Sequence, residues 1–172
     1  MSKLPVTGLV TGAILFVIDQ AAKYGIIEIL DLDSLSSERS ITSFFNLRFV
    51  PNPGVSLGLL RADSEVMRWG LVGLTAAIAI GVLVWMLREP NKQDQVALGL
   101  VFGGALGNIL DRVRFGYVVD FADLHFGAWR PFLVFNVADA AITIGVLILL
   151  VRALLVRDKP RAGRDPVENI NA

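Results

Sequence analysis

The chain has no cysteine and only one histidine, His125, and these shortages exclude several kinds of catalytic centre. Without cysteine there can be no disulfide, no thiolate nucleophile and no cysteine-rich zinc or iron–sulfur site. A single histidine cannot supply both ligands of an HExxH zinc site. A serine triad would have to combine Ser56 with that one histidine, which disfavours it. Carboxylates and amides remain as candidates for chemistry.

An excess of charge of either sign is also missing. The chain has 16 basic (Lys and Arg) and 16 acidic (Asp and Glu) residues, so its formal net charge is zero. Proteins that bind nucleic acid usually carry a basic surface, and no nucleic-acid partner is expected here. Apolar residues are abundant instead, because 54% of the chain is hydrophobic. That share exceeds what is usual for a soluble domain of this length.

Long runs almost free of charge determine the predicted fold class. Crossing a hydrocarbon core about 30 Å thick takes about 20 helical residues. Four runs are long enough, so the sequence predicts an all-α membrane protein with four spans at about residues 4–27, 67–87, 95–112 and 132–152. A cleaved signal peptide is the alternative for the first run, because Lys3 precedes it. No good small-x-small cleavage site follows, so we interpret the run as a span.

The distribution of basic residues predicts the orientation. Five of them lie close behind the fourth span: Arg152, Arg157, Lys159, Arg161 and Arg164. The positive-inside rule places this end in the cytoplasm, and an even number of spans returns the N-terminus to the same side. Residues 28–66 then lie outside; they are rich in β-branched and aromatic residues and predict a small β-rich element. The tail 157–172 is polar without periodicity and is predicted to be disordered.

With this topology, the unusual polar residues gather at the outer end of the spans. Spans one and three each contribute a charged pair, Asp19 with Lys23 and Asp111 with Arg112. Asp19 and Lys23 are spaced i, i+4, so a purely structural ion pair would explain them. Asp111 and Arg112 could simply anchor the end of their span. The other members of the set are Asn52, Gly54, Asn108, Asp120, Asn136 and Asp139.

Asp139 is the carboxylate hardest to explain by packing alone. It opens an apolar run, and an ionised carboxylate beside hydrocarbon is costly. Asp120, in "VVDF", could approach it across the short connection between spans three and four, although Asp120 could also be an ordinary solvated residue of a surface loop. Asp111 could equally be the partner. Two carboxylates that share a site split their pKa values, the arrangement of aspartic proteases.

Five motifs in order resemble those of bacterial lipoprotein signal peptidase, the type II signal peptidase family. They are "DQAAK" (19–23), "NPGVS" (52–56), "GGALGNILDR" (103–112), "VVDF" (118–121) and "FNVADAAI" (135–142). The resemblance implies a metal- and cofactor-free aspartyl protease of the bacterial inner membrane, with four spans, a small periplasmic β-rich element and cytoplasmic termini. It also implies a monomeric enzyme that contacts membrane lipids, cleaves prolipoproteins before a diacylglyceryl-modified cysteine at the periplasmic side, and is the target of globomycin.

By the same resemblance, the catalytic aspartates are Asp120 and Asp139, within one peptidase domain spanning residues 1–156. Substrate-binding or supporting positions are Asp19, Lys23, Asn52, Gly54, Gly104, Asn108, Asp111, Arg112, Asn136 and Ala138. Pro53 and Leu57 depart from the N-x-G-A-A-F pattern of many members. The rival hypothesis is a membrane assembly or lipid-binding module without enzymatic activity, which would explain the Gly103–Gly107 face as helix packing.

Overall fold

The computed structural model of the chain describes residues 4–35, 37–54 and 65–155. Four helices and three strands make up the described part. The helices are α1 (Val6–Tyr24, extended by a π-helical turn Gly25–Ile29), α2 (Glu65–Arg88), α3 (Lys92–Phe115) and α4 (Val137–Leu155). The strands are β1 (Glu38–Thr42), β2 (Phe45–Asn52) and β3 (Val118–Leu124). Leu57 and the tail 157–172 lie outside the described residues.

All four helices are long and apolar enough to cross a membrane, and the predicted fold class is confirmed. The helix ends differ from the predicted spans. The α3 helix extends past both predicted ends, because Asn91 caps its start and Gly116, with φ of 84°, ends it. The α4 helix begins five residues later than the predicted span, because Phe135 is occupied in a β-bridge to Ala122.

The α3 helix is the centre of the bundle and packs against each of the other three helices. Glycines allow the closest approaches: a Cβ on Gly103 would lie 2.3 Å from the carbonyl oxygen of Gly12 on α1. On the other side, a Cβ on Gly104 would lie 2.6 Å from the carbonyl oxygen of Ala138 on α4. Small residues let helix backbones approach closely in membranes. The polar residues of α1, α3 and α4 are therefore held within side-chain reach of one another.

An antiparallel sheet in the order β1-β2-β3 lies at the end of the bundle where α3 finishes and α4 begins. Ile26 and Leu32, which follow α1, form an apolar cluster with Phe121 and Ala122 of β3. Burying apolar surface in this way attaches the sheet to the helices.

The sheet corrects one prediction: "VVDF" lies in a buried strand, so Asp120 is not an ordinary residue of a solvated loop. Asp123 of the same strand is likewise fully buried, paired with Arg48 and Arg130. An alternation of polar and apolar residues could not reveal this strand, because five of its seven residues are apolar or small and both of its faces are covered.

Candidate active site

Asp120 lies in the middle of β3 with only 2% of its surface exposed. Two amides hold its carboxylate. Asn136 Nδ2 donates to Oδ1 at 2.7 Å, and Asn52 Nδ2 donates to Oδ2 at 2.9 Å. Asn52 is available because β2 and β3 are paired, with Val50 opposite Asp120. The strand pairing thus places an amide from one strand on a carboxylate of the next.

Asp139 lies in the first turn of α4, where its carboxylate and Asn136 cap the helix start. The backbone N–H of Asp139 donates to Asn136 Oδ1 at 2.8 Å, and the Asn136 N–H donates to Asp139 Oδ2 at 3.4 Å. This reciprocal pair is a capping box. A third bond comes from α3, where Asn108 Nδ2 donates to Asp139 Oδ1 at 2.8 Å. The cap fixes the carboxylate at the helix end and leaves it partly exposed.

Two amides connect the two carboxylates. Asn136, which is buried, donates from Nδ2 to Asp120, to the Val119 carbonyl oxygen and to Asn108 Oδ1, the last at 3.2 Å. Asn108 in turn donates to Asp139. An asparagine can do this because its side chain carries both donors and an acceptor. A chain of amides therefore runs from one aspartate to the other.

Two grooves open beside the carboxylates. One has a volume of about 270 Å³ and is lined by Asp139 together with apolar residues of α4 and the segment before it, among them Phe132, Phe135 and Ile144. The other, of about 330 Å³, is lined by Asp120, Asn52 and Arg48 among others. Leu133 borders both grooves. The two aspartates therefore lie where an apolar groove meets a more polar one.

The proton affinity of Asp120 is altered by its surroundings. Burial raises the pKa of Asp120, and the nearby negative charge of Asp139 raises it further, to about 7. The bonds from Asn52 and Asn136 and the charge of Lys23 act in the opposite direction. A carboxylic acid with this pKa keeps a proton close to neutral pH, as a general acid requires.

A buried ion network lies behind the carboxylates, between α1 and α3. Lys23 Nζ is 2.8 Å from Asp19 Oδ2 and 2.7 Å from Asp111 Oδ2. The prediction that Asp19 and Lys23 pair is confirmed, whereas the anchoring role considered for Asp111 is wrong, because Asp111 is 1% exposed and bonded inward. Gln20 and Gly107 also belong here. Gln20 Nε2 donates to Asp111 Oδ1 at 3.0 Å, and a Cβ on Gly107 would lie 2.5 Å from Asp19 Oδ2.

Arg112, on α3, adds a positive charge near the carboxylates. Asp139, Asp120 and Asp111 are the acidic groups whose charges act on it. Its Nε is buried and has no hydrogen-bond partner among the described residues. Gly54, with φ of +115°, makes a turn in which a Cβ would lie 3.8 Å from the Arg112 guanidinium. Arg112 is thus a cation with unused donor capacity beside two aspartates.

The structure brings the candidate residues of the sequence into one cluster. Three supporting residues, Gly54, Gly104 and Ala138, contribute through their backbone or their small size and not through a polar side chain. Ala138 is fully buried. Sequence reasoning missed Gln20 and Arg68, and it assigned Gly107 to helix packing only. Arg68 donates to the Arg112 carbonyl oxygen at 2.7 Å and so caps the end of α3. A glutamine inside an apolar span was a usable signal; the role of Gly107 depends on a neighbour that spacing does not reveal.

Comparison with known proteins identifies the family. The family described as signal peptidase (SPase) II matches residues 11–155, which is most of the chain. The chain belongs to the signal peptidase II family. A lipoprotein signal peptidase of Rhizorhabdus wittichii is 55% identical over 168 residues, covering 96% of this chain and 93% of the relative. That of Sphingopyxis alaskensis is 52% identical over 152 residues, covering 88% and 87%.

Solved structures agree with this family. Two structures described as bacterial membrane enzymes are similar to this signal peptidase II fold, with TM-scores of 0.75 and 0.71 and identities of 31% and 29%. Each covers 89% of this chain, and the matched part is 94% and 93% of theirs. The chain is therefore a multi-pass membrane peptidase. The predicted family and the predicted processing of lipoprotein signal peptides are confirmed, and the non-enzymatic module is not supported.

Proposed function

We propose that this signal peptidase II is an aspartic endopeptidase whose catalytic pair is Asp120 and Asp139. The observation that carries the proposal is the chain of amides between the two carboxylates at the junction of two grooves. Two carboxylates in one site share a proton, because both cannot easily be ionised at close range. The raised pKa of Asp120 fits this arrangement. Among the residues described, these are the two carboxylates that border those grooves.

The proposed reaction is hydrolysis of one peptide bond by an activated water. The ionised aspartate accepts a proton from the water, whose oxygen attacks the carbonyl carbon. The protonated aspartate donates a hydrogen bond to the carbonyl oxygen and stabilises the charge that develops there. Breakage of the C–N bond then transfers a proton to the leaving amine, which begins the mature protein. No other reactant is needed, and the pair ends with one proton as it began.

The two grooves suggest how a lipoprotein precursor binds. The apolar groove beside Asp139 suits the hydrophobic signal segment, and the polar groove beside Asp120 suits the backbone that continues into the mature protein. Arg112, whose Nε has no hydrogen-bond partner among the described residues, is the proposed donor to carbonyl and glyceryl ester oxygens, and Asn108 and Asn136 orient the two aspartates. The diacylglyceryl chains on the cysteine would face the surrounding lipid.

The same proposal covers location and partners. The enzyme lies in the bacterial inner membrane, with both termini in the cytoplasm and the aspartates at the periplasmic side. It acts as a monomer in contact with membrane lipids, within one peptidase domain over residues 1–156. Globomycin is expected to inhibit it by occupying the substrate grooves.

Substrate lipidation gives the direct test of this function. We expect the purified enzyme to cleave a precursor whose cysteine carries diacylglycerol and to leave the unmodified precursor intact, because the lipid holds the scissile bond at the membrane surface. The measurement is the mass of the released signal peptide and of the mature product. Equal cleavage of both precursors would contradict the proposed substrate, and cleavage of neither would contradict the activity.

The pH dependence of turnover tests the shared proton. The pKa of Asp120, raised to about 7, means that this proton is lost as the pH rises through that value. The general acid is then missing from the free enzyme, so kcat/KM should fall above neutral pH, approaching about 10-fold per pH unit. The measurement is kcat/KM across the range, with stability checked by returning samples to neutral pH. A kcat/KM that keeps rising well above pH 7 would contradict the assignment.

A further inference from the structure

Two carboxylates outside the proposed catalytic pair contact the backbone in equivalent ways. Asp19 Oδ1 accepts the backbone N–H of Ala138 at 2.9 Å. Asp111 Oδ2 accepts the backbone N–H of Val119 at 3.1 Å. Ala138 immediately precedes Asp139, and Val119 immediately precedes Asp120. Each carboxylate thus holds the backbone N–H of the residue that precedes one proposed catalytic aspartate.

Lys23 joins the two carboxylates. Its ammonium lies 2.8 Å from Asp19 and 2.7 Å from Asp111, and all three side chains are buried. The ammonium also donates to Asn108 Oδ1 at 3.3 Å, the amide that holds Asp139. Lys23 on α1 is therefore linked to β3 through Asp111 and to the start of α4 through Asp19.

Three buried charges reduce the stability of the folded protein if they serve packing alone. Removing three charged groups from water destabilises the folded state, and apolar residues of similar volume are often as stabilising or more so. The helices already pack closely through their glycines, so the network is not needed to bring them together. Backbone positioning gives a reason for it, because a misplacement of about 1 Å can reduce a rate by about 100-fold.

We propose that Asp19, Lys23 and Asp111 form a clamp that positions the two catalytic aspartates relative to each other through the preceding peptide units. The clamp residues are positioning residues and touch no substrate. The inference rests on the proposed function, because it takes Asp120 and Asp139 as the reacting groups. It predicts that loss of the clamp lowers the rate of the chemical step more than substrate binding.

Lys23→Met tests the clamp by removing the cation and keeping the length of the side chain. We expect kcat to fall about 100-fold with KM changed less than about 3-fold, measured on folded protein with the diacylglyceryl-modified precursor. The triple change Asp19→Asn, Lys23→Met, Asp111→Asn removes all three charges but retains an amide oxygen to accept each N–H. The kcat of this triple variant should be at least about 10-fold higher than that of Lys23→Met, because it contains no uncompensated buried anion and keeps an acceptor for each N–H.

The control is Arg152→Met. Arg152 joins α4 to Asp94 of α3 near the opposite ends of those helices, so its loss removes an interhelical ion pair far from the aspartates. It should lower the melting temperature and leave kcat within about 3-fold. If Lys23→Met behaves like this control, or if the triple variant is no more active than Lys23→Met, the clamp is wrong.

A second pair of variants applies if Lys23→Met does not fold. Asp111→Ala removes the acceptor of the Val119 N–H, whereas Asp111→Asn retains one, so kcat should be at least about 10-fold higher in Asp111→Asn. Equal kcat in the two would overturn the clamp. The proposed function is tested independently of the clamp. Turnover by Asp120→Asn or Asp139→Asn at the wild-type rate would contradict the assignment of these two aspartates as the catalytic pair, whatever the clamp variants show.

Discussion

Replacement of either Asp120 or Asp139 by asparagine should abolish cleavage of the lipid-modified precursor. Asparagine can neither accept the proton of the attacking water nor donate one to the leaving amine. General acid–base catalysis contributes about 100- to 10,000-fold, and the loss should reach the upper part of that range, because each carboxylate serves at more than one step. The measurement is single-turnover cleavage with enzyme in excess over precursor.

Folding should survive these changes. An amide at position 139 still offers an oxygen to Asn108 Nδ2, and an amide at position 120 still offers one to Asn136 Nδ2. Precursor binding should therefore be retained, and a cross-linking or co-purification assay would show a stable complex that is not processed. An inactive variant that has also lost binding would indicate a structural defect and not a missing proton donor or acceptor.

Asp123→Asn is the matched control for position 120. Asp123 lies on the same strand and is equally buried, but it pairs with Arg48 and Arg130 instead of the amide chain. Its replacement should reduce stability and leave kcat on folded enzyme within about 3-fold, since it holds no group that reacts. If it reduces kcat as strongly as Asp120→Asn, the effect belongs to the strand and not to one carboxylate.

The sequence predicts the spans well because the physical signal is strong. A charge-free run of about 20 residues has few structural alternatives. The exact ends are less predictable, because they depend on single residues such as the Asn91 cap and on the bridge between Phe135 and Ala122. The third strand was missed for a related reason: β3 is covered on both faces and shows no alternation of polar and apolar residues.

The sequence predicts which residues form the site but not how those residues are arranged in space. Charges and amides at the outer ends of spans one, three and four and in the outer loops indicate a functional cluster whatever the family. Spacing could not choose between Asp111 and Asp120 as the partner of Asp139, since both lie at the end of α3 or just after it. In the structure Asp111 bonds to Lys23 and to the backbone, whereas Asp120 faces a groove. That distinction depends on the β2–β3 pairing, which no local pattern encodes.

Asn136→Asp should be the most damaging change outside the two aspartates. The Asn136 amide donates to the Asp120 carboxylate, the Val119 carbonyl oxygen and Asn108. An ionised carboxylate donates nothing and adds a second negative charge to a pair that already carries one, so it should compete with Asp120 for the shared proton. We expect kcat at neutral pH to fall about 100-fold or more, an effect comparable to the loss of an oxyanion donor.

The pH dependence of this variant identifies the cause. A protonated carboxyl at position 136 can donate again to Asp120, so the defect relative to wild type should be smaller at about pH 5 than at about pH 8. Asn46→Asp is the matched control: Asn46 is also buried and donates to the Glu38 carboxylate at 2.6 Å, but it lies on the β1–β2 pair away from the amide chain. The same repulsion there should lower stability and leave kcat within about 3-fold. A defect of Asn136→Asp that is equal at both pH values would show that Asn136 acts through the shape of the α4 cap and not through the proton shared by the two aspartates.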